Sequence, residues 1–280
     1  MDAEGAGSVN ETANNSGTAI DAIYRELRRR IIDGIYLPDQ KLKIEHLRAG
    51  FRVSSSTVRE ALTRLTSDHL VAAHEHRGFR VTPMSMADLQ DLTQARVVLE
   101  CAALRDSIRN ANEDWELKLV RAYQRLTRAE TRLLHDATAF DMWEECNRAF
   151  HDALAANSHS EWLRRLRQLL FQQSERYRRL SSGVAASRAE VHAEHMAIFE
   201  AAIAHDVERA ASLLCDHVWR AAHVIRNNAA LREALSSGSK RRGESGGRLK
   251  HGAIMLLREA SDDVGSRRPD LPQTSRVNPA

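Results

Sequence analysis

The chain has 280 residues, 41 Lys+Arg against 38 Asp+Glu for a formal net charge of +3, and 42% hydrophobic residues. That is long enough for two domains and apolar enough for packed cores, which excludes a disordered or fibrous chain. No apolar run reaches the ~18 residues of a membrane helix, MDAEGAGSVNETANNSG lacks the regions of a signal peptide, and Cys101, Cys146 and Cys215 are too few and too scattered for a disulfide scaffold or CxxC site, so a reducing cytoplasm is expected.

Residues 1–18 read as a polar, disordered tail. Over 20–33 apolar residues recur at Ile20, Ile23, Leu27 and Ile31, the spacing of one helix face. Gly34 ends that helix and Pro38 marks a turn. A short second helix carries Ile44 and Leu47 inward. In VSSSTVREALTRLTSDHL, Ser54 is placed to cap a third helix by accepting from the amide of Thr57, with Val58, Leu62 and Leu65 as its buried face. LVAAHEHRGFRVT then reads as two short strands around a turn with Arg77 and Gly78 at its tip. Three helices and a hairpin within 19–83 predict a winged helix-turn-helix. Its third helix would present Ser54, Ser55, Ser56, Thr57, Arg59 and Arg64 to DNA, with Arg77 and Gly78 on the wing. Residues 19–83 hold 12 Lys+Arg to 8 Asp+Glu, whereas 84–237 hold 20 to 22, so the basic segment is the one with the DNA-binding pattern. The plainer alternative is a small helical domain whose Arg59 and Arg64 are merely solvated or salt-bridged.

The run G-x-Y-x-P…L (Gly34, Tyr36, Pro38, Leu42), then V-S-x-x-x-V-R-E-A-L (Val53, Ser54, Val58 to Leu62), then R-G-F-x-V (Arg77 to Phe79, Val81) resembles the DNA-binding domain of the GntR family of bacterial transcription regulators. The resemblance implies that Arg59 and Gly78 lie at the DNA. Ser55 departs from it, standing where the family usually has Arg; Thr57 stands where many members have Pro, and Asp39 where they have Gly.

From 84 to 237 there is no proline and one glycine, Gly183, in text rich in Ala, Leu, Arg and Glu. That composition predicts an all-helical bundle over 84–235. Asn147 and His151 lie four apart on one helix face; His195 and His217 lie on two successive later helices; Arg96 and Glu100 lie four apart near the start. With 13 histidines in the chain, spacing alone leaves ordinary core or surface histidines as the simpler account. Leu89, Leu92, Leu99, Leu166, Leu170 and the four tryptophans read as core and dimer packing. From 236 the Ser/Gly/Arg-rich text reads as a disordered tail, in which GAIMLLREA could form a short helix.

The order R-x-x-x-E, N-x-x-F-H, E-H-x-x-I and a later His resembles the FCD ligand-binding domain of the FadR branch of the same family. The resemblance implies a divalent cation held by Asn147, His151, His195 and His217, with Asn147 where Asp is common and Glu144, three residues earlier, as an alternative oxygen donor. Three imidazoles and one oxygen suit Zn²⁺ or Ni²⁺. A small carboxylate or hydroxy acid would take the open positions, clamped by Arg96 and Arg148, with Arg176 a weaker candidate. The expected function is a ligand-responsive regulator of transcription, a repressor, acting as a homodimer on a pseudo-palindromic operator and not as an enzyme. Two other accounts stay open at this point: a metal-dependent hydrolase using Glu194 or Glu144 as base, and a DNA-binding protein whose helical domain only dimerises.

Overall fold

The computed structural model of the chain describes residues 8–240 except 76 and 183–184. The GAIMLLREA stretch lies outside the described residues. Helix α1 (Ser8–Ile32) buries the stripe Ile20, Ile23, Leu27 and Ile31. It begins inside the stretch expected as tail. No proline interrupts SVNETANNSGTAI, so a helix anchored by its buried half propagates backward into that stretch. Gly34, at φ +70°, supplies the left-handed residue that ends α1. Strand β1 (Lys41–Leu42), α2 (Ile44–Phe51), α3 (Ser55–Ser67), β2 (Val71–His74) and β3 (Gly78–Val81) complete the N-terminal domain. The sheet order is β1-β3-β2, all antiparallel, with Leu42 opposite Phe79 and Val71 opposite Val81. Sequence reasoning found the hairpin and missed β1, whose two residues are too few to show alternation. Leu27, Val58, Leu62, Leu65 and Val81 are fully enclosed at the centre of this domain.

The rest is helical: α4 (Met86–Arg109), α5 (Glu113–His135), a 3-10 turn (Ala137–Ala139), α6 (Phe140–Leu154), α7 (Glu161–Gln173), α8 (Glu175–Ser182), α9 (Ala185–Ile203), α10 (Val207–Asn227) and α11 (Ala229–Lys240). Asparagine or serine caps open α4, α5 and α7, where Ser85, Asn112 and Ser160 accept from the amide three residues on. Helix α10 packs along α4 and α9, and α5 along α6 and α9. The shared core holds Trp115, Leu119, Leu126, Phe150, Leu154, Ile198 and Leu214, and the Trp115 indole donates to the carbonyl of Ala153 (2.9 Å). Helix α11 runs past the boundary expected at 235 because Leu231 and Leu235 pack with Met84, Leu89, Tyr177 and Ile225, where the helical domain meets the start of α4. Among the described residues no helix is long and apolar enough to cross a membrane.

The Pro38 turn explains one oddity of the sequence. Gln40 N–H donates to Leu37 O (3.0 Å), and Asp39, the second central residue, has φ +63°. That is a turn of the class that places Gly after Pro. Aspartate tolerates the left-handed region better than most residues with a Cβ. Arg80 further steadies the turn by donating to the carbonyl of Asp39 (2.8 Å). Asp39→Ala should therefore lower the stability of this domain by about 1–2 kcal/mol, while Asp39→Gly should not; chemical denaturation followed by circular dichroism measures both.

Candidate metal centre and DNA-binding face

Ser54 caps α3 as expected, accepting from Thr57 N–H (3.1 Å), and its hydroxyl also meets those of Ser56 (2.7 Å) and Thr57 (2.8 Å). Ser54, Ser56 and Arg59 are exposed and Ser55 and Thr57 half-buried at the same helix end. No acidic partner engages Arg59 among the described residues. Arg64 differs: it pairs with Asp21 (2.5 Å) and Glu60 (3.2 Å) within the domain. Arg77 and Gly78 are exposed at the β2–β3 tip, with Gly78 at φ +82°. A side chain there meets no neighbour, so the glycine serves the backbone conformation of the turn and not space.

In the helical domain, α6 carries Asn147 and His151, α9 carries His195 and α10 carries His217. Ligand atoms of the three histidines lie within 4.8 Å of one another, with Asn147, His151 and His195 buried. Carboxylates fix the orientation of two rings. His195 Nδ1 donates to Glu130 Oε1 (2.5 Å) and His217 Nδ1 to Glu194 Oε2 (3.0 Å). Nδ1 therefore carries a proton in both, and the two Nε2 atoms lie 3.2 Å apart. Burial, then the neighbouring His195 and Arg96, pushes His217 well below its ordinary pKa; burial, then His217 and His195, does the same to His151. Both rings are thus neutral. Asn147 Oδ1, buried in the same place, has no hydrogen-bond donor. His151 Nδ1, beside it, has no hydrogen-bond partner either. Burial raises the Glu130 carboxyl, but hydrogen bonds and charge from His195 and His192 outweigh it and hold the group below its usual value.

A cavity opens beside these residues, lined by Arg96, Glu130, Asn147, His151, Arg178 and His217 among others. Arg96, expected there, is buried, pairs with Glu100 (3.1 Å) and lies over the Phe171 ring at 5.1 Å. Burial pulls its guanidinium down to about 10 despite Glu100. Its Nε has no partner. Arg148 is not brought to the cavity. It follows Asn147 by one residue, about 100° round the helix, and reaches Glu175 on α8 instead (3.7 Å). Glu144 is not a free donor either: Arg178 takes it through Nε (3.1 Å) and a second, shorter contact. Glu194 is likewise held, by His217 and by Arg220 Nε (2.5 Å), which leaves neither proposed hydrolytic base at liberty. Arg178 was missed in the arginine run; the stripe Ser174, Arg178, Ser181 at four- and three-residue spacing was the available sign.

Residues 19–81 match the family of bacterial regulatory proteins named gntR, and residues 91–220 match the FCD domain. The chain is 40% identical over 219 residues to the uncharacterized HTH-type transcriptional regulator BphR of Paraburkholderia xenovorans (strain LB400), a span of 78% of this chain and 89% of that one. It is 30% identical to the HTH-type transcriptional repressor GlaR of Escherichia coli (strain K12), over 72% of this chain and 92% of the relative. The chain belongs to the GntR family of transcription regulators. Like its relatives it is a DNA-binding regulator with an FCD domain, and not an enzyme, which sets the hydrolase account aside. Its fold is that of a GntR regulator of Rhodococcus sp. RHA1, at TM-score 0.60 and 22% identity over 75% of this chain and 99% of the other. Escherichia coli McbR/YncC shares the fold at TM-score 0.58 and 20% identity, over 77% and 97% of the two chains.

In this GntR chain the short helix α8 joins the two domains. Its Arg178 and Ser181 line the cavity. From the same helix Glu175 pairs with Arg28 of α1, Arg179 with Asp33 (2.7 Å), and Arg176 donates to the carbonyl of Thr82 (2.9 Å). Arg176 thus serves the domain junction and not the cavity. The Arg178–Glu144 pair bolts α8 to α6 one turn before Asn147. Removing one member leaves a buried charge unpaired. Arg178→Met should cost about 3–5 kcal/mol; adding Glu144→Gln to it should recover most of the loss, as thermal unfolding of the three proteins will read.

Proposed function

We propose that the protein is a cytoplasmic, homodimeric repressor whose FCD domain binds a small carboxylate or hydroxy acid on a divalent cation, Zn²⁺ or Ni²⁺. The observation that carries the metal is the 3.2 Å approach of two Nε2 atoms on rings whose Nδ1 atoms are each held by a carboxylate. Two nitrogens, each 2.0–2.1 Å from one zinc at a tetrahedral angle, stand about 3.3 Å apart. The orphaned Asn147 Oδ1 and the neutral His151 complete a donor set that a cation satisfies and water alone would not organise. When bound, the ion supplies positive charge and coordination places that a carboxylate can fill. The chain's own part is to orient the donors through Glu130 and Glu194, to bring Arg96 to the anion, and to keep the rest of the site apolar. Communication with the DNA domain runs on this reading through α8, whose two sides hold the cavity and the head.

Two features favour a homodimer over a monomer. The winged domain reads one half-site, and a pseudo-palindrome needs two. On the helical domain, the mutually packed α4 and α7 leave Val98 63%, Trp162 70% and Leu166 44% exposed, a cost that a second copy would remove. The operator contacts proposed are Ser54, Ser55, Ser56, Thr57 and Arg59 on α3, Arg64 if its ion pairs exchange for phosphate, and Arg77 and Gly78 on the wing.

Metal analysis of protein made without tag or chelator should find close to one divalent ion per chain. His195→Ala or His217→Ala should abolish it, Asn147→Ala should weaken it less, and Asn147→Asp should tighten it, because a carboxylate adds charge. A stoichiometry near zero would end the metal reading. Arg59→Ala should weaken operator binding by about 1–3 kcal/mol with folding and dimerisation intact; electrophoretic mobility shift with the chain's genomic operator decides it.

A further inference from the structure

We infer that the effector is an acid whose body, beyond the carboxylate head, is apolar: an aryl or alkyl acid and not a polyhydroxylated one. This rests on the reading that an acid binds at the cation, and extends it to the part of the cavity away from the donors. The cavity is partly open to solvent, so the body of an acid can extend from the donors along its wall. The apolar part of its wall is Leu133 of α5, Trp143 of α6, Val191 of α9, and Val218 and Ala221 of α10, with Ser181 of α8 and Arg220 of α10 beside them.

The decisive point is what the polar lining is already doing. Arg178 spends its Nε and one Nη on Glu144, and the other Nη on Phe171 O (2.9 Å) and Ser174 Oγ. Ser181 donates its hydroxyl proton to Arg178 O (2.9 Å). Arg220 is held by Glu190 (2.6 Å) and Glu194. Each Glu130 oxygen already takes a histidine, His192 (2.6 Å) or His195 (2.5 Å). Outside the acceptor cluster, the lining side chains with an unpartnered polar atom among the described residues are Arg96, through Nε, and Trp143, through its indole N–H; Arg96 stands beside the cluster as a second hold on a carboxylate. A carboxylate head is therefore well served. Hydroxyls farther along a sugar acid would lose water and find one free donor, the Trp143 indole N–H, with the other side chains engaged, at a cost for each group so stranded. An aryl or alkyl body loses nothing polar, and Trp143 offers it a ring face or edge.

Zinc-loaded full-length protein, with loading checked by metal analysis, is titrated by calorimetry with acetate, phenylacetate and gluconate. Acetate should bind weakly, and phenylacetate at least about tenfold tighter than gluconate. Val191→Thr combined with Ala221→Ser changes two half-buried wall positions with little change in volume. It should shrink the preference for phenylacetate while leaving acetate unchanged. Gluconate binding as tightly as phenylacetate, or an unaltered ratio in the folded double variant, overturns the inference and leaves the carboxylate-on-metal reading standing. Failure of all three acids to bind the zinc-loaded chain overturns that underlying reading instead.

Discussion

The helical domain is organised around a buried cluster of polar atoms, of which Asn147 Oδ1 and His151 Nδ1 find no partner within the fold. Asn147, His151, His195 and His217 come from three helices, and the rings of His195 and His217 are turned inward by carboxylates behind them. Leaving buried acceptors without donors costs on the order of 1–3 kcal/mol each. A sequence selected for stability alone would have filled this space with leucine. Here the cost is concentrated at one point, and the hydrophobic clusters of both domains carry the folding around it. Glu130 reaches from α5 to α9 and Glu194 from α9 to α10, so the carboxylates that aim the rings also tie the helices in register.

The same domain contains buried ion pairs that frame the site, one of them through Arg96 at the cavity wall. Arg167 meets Glu100 (3.2 Å) and Asp152, while Glu100 also takes Arg96. Buried pairs add little net stability compared with apolar packing, yet breaking one is expensive. They act as switches of position more than as glue: a helix held this way has one setting, and leaving it costs several kcal/mol until a new partner is found. Helix α8 is held so on both sides, by Glu144 from within and by Arg28 and Asp33 from the DNA-binding domain. On the proposed reading, a change of partner at the cavity would reach the head through this one helix.

Much of this was legible in the chain. Helix periodicity placed Ile20 to Ile31, Val58 to Leu65 and the Ser54 cap, because those features are local and their spacing is the message. Asn147 and His151 shared a face for the same reason. What spacing could not give was pairing between distant segments. Nothing near Glu130 says that it will meet a histidine 65 positions on. Nothing in SERYRRL says that Arg178 turns to the cavity while Arg176 and Arg179 turn to the head; an exposed run and a two-sided helix look alike when the neighbours are unknown. Arg148 was misplaced by contiguity, since a residue next to a ligand on a helix points away from it. Asp39 was visible as a departure from the family's glycine, and only its φ of +63° shows why glycine is the usual residue.

Asn147 has a consequence beyond affinity. As ligands, imidazoles and an amide oxygen bring no charge, so a divalent ion held there would keep its full double charge in a buried place. An aspartate there would have neutralised half of it. The remaining charge must be met by the effector, by Glu130 and Glu194 behind the rings, or not at all. Ion and acid then favour each other strongly: each makes the other's burial less costly, and by reciprocity the acid tightens the ion as much as the ion tightens the acid. On the proposed reading, the asparagine would weaken the site for the ion alone and strengthen the dependence of metal on ligand, so that the two-component complex, more than the ion alone, would be the bound state.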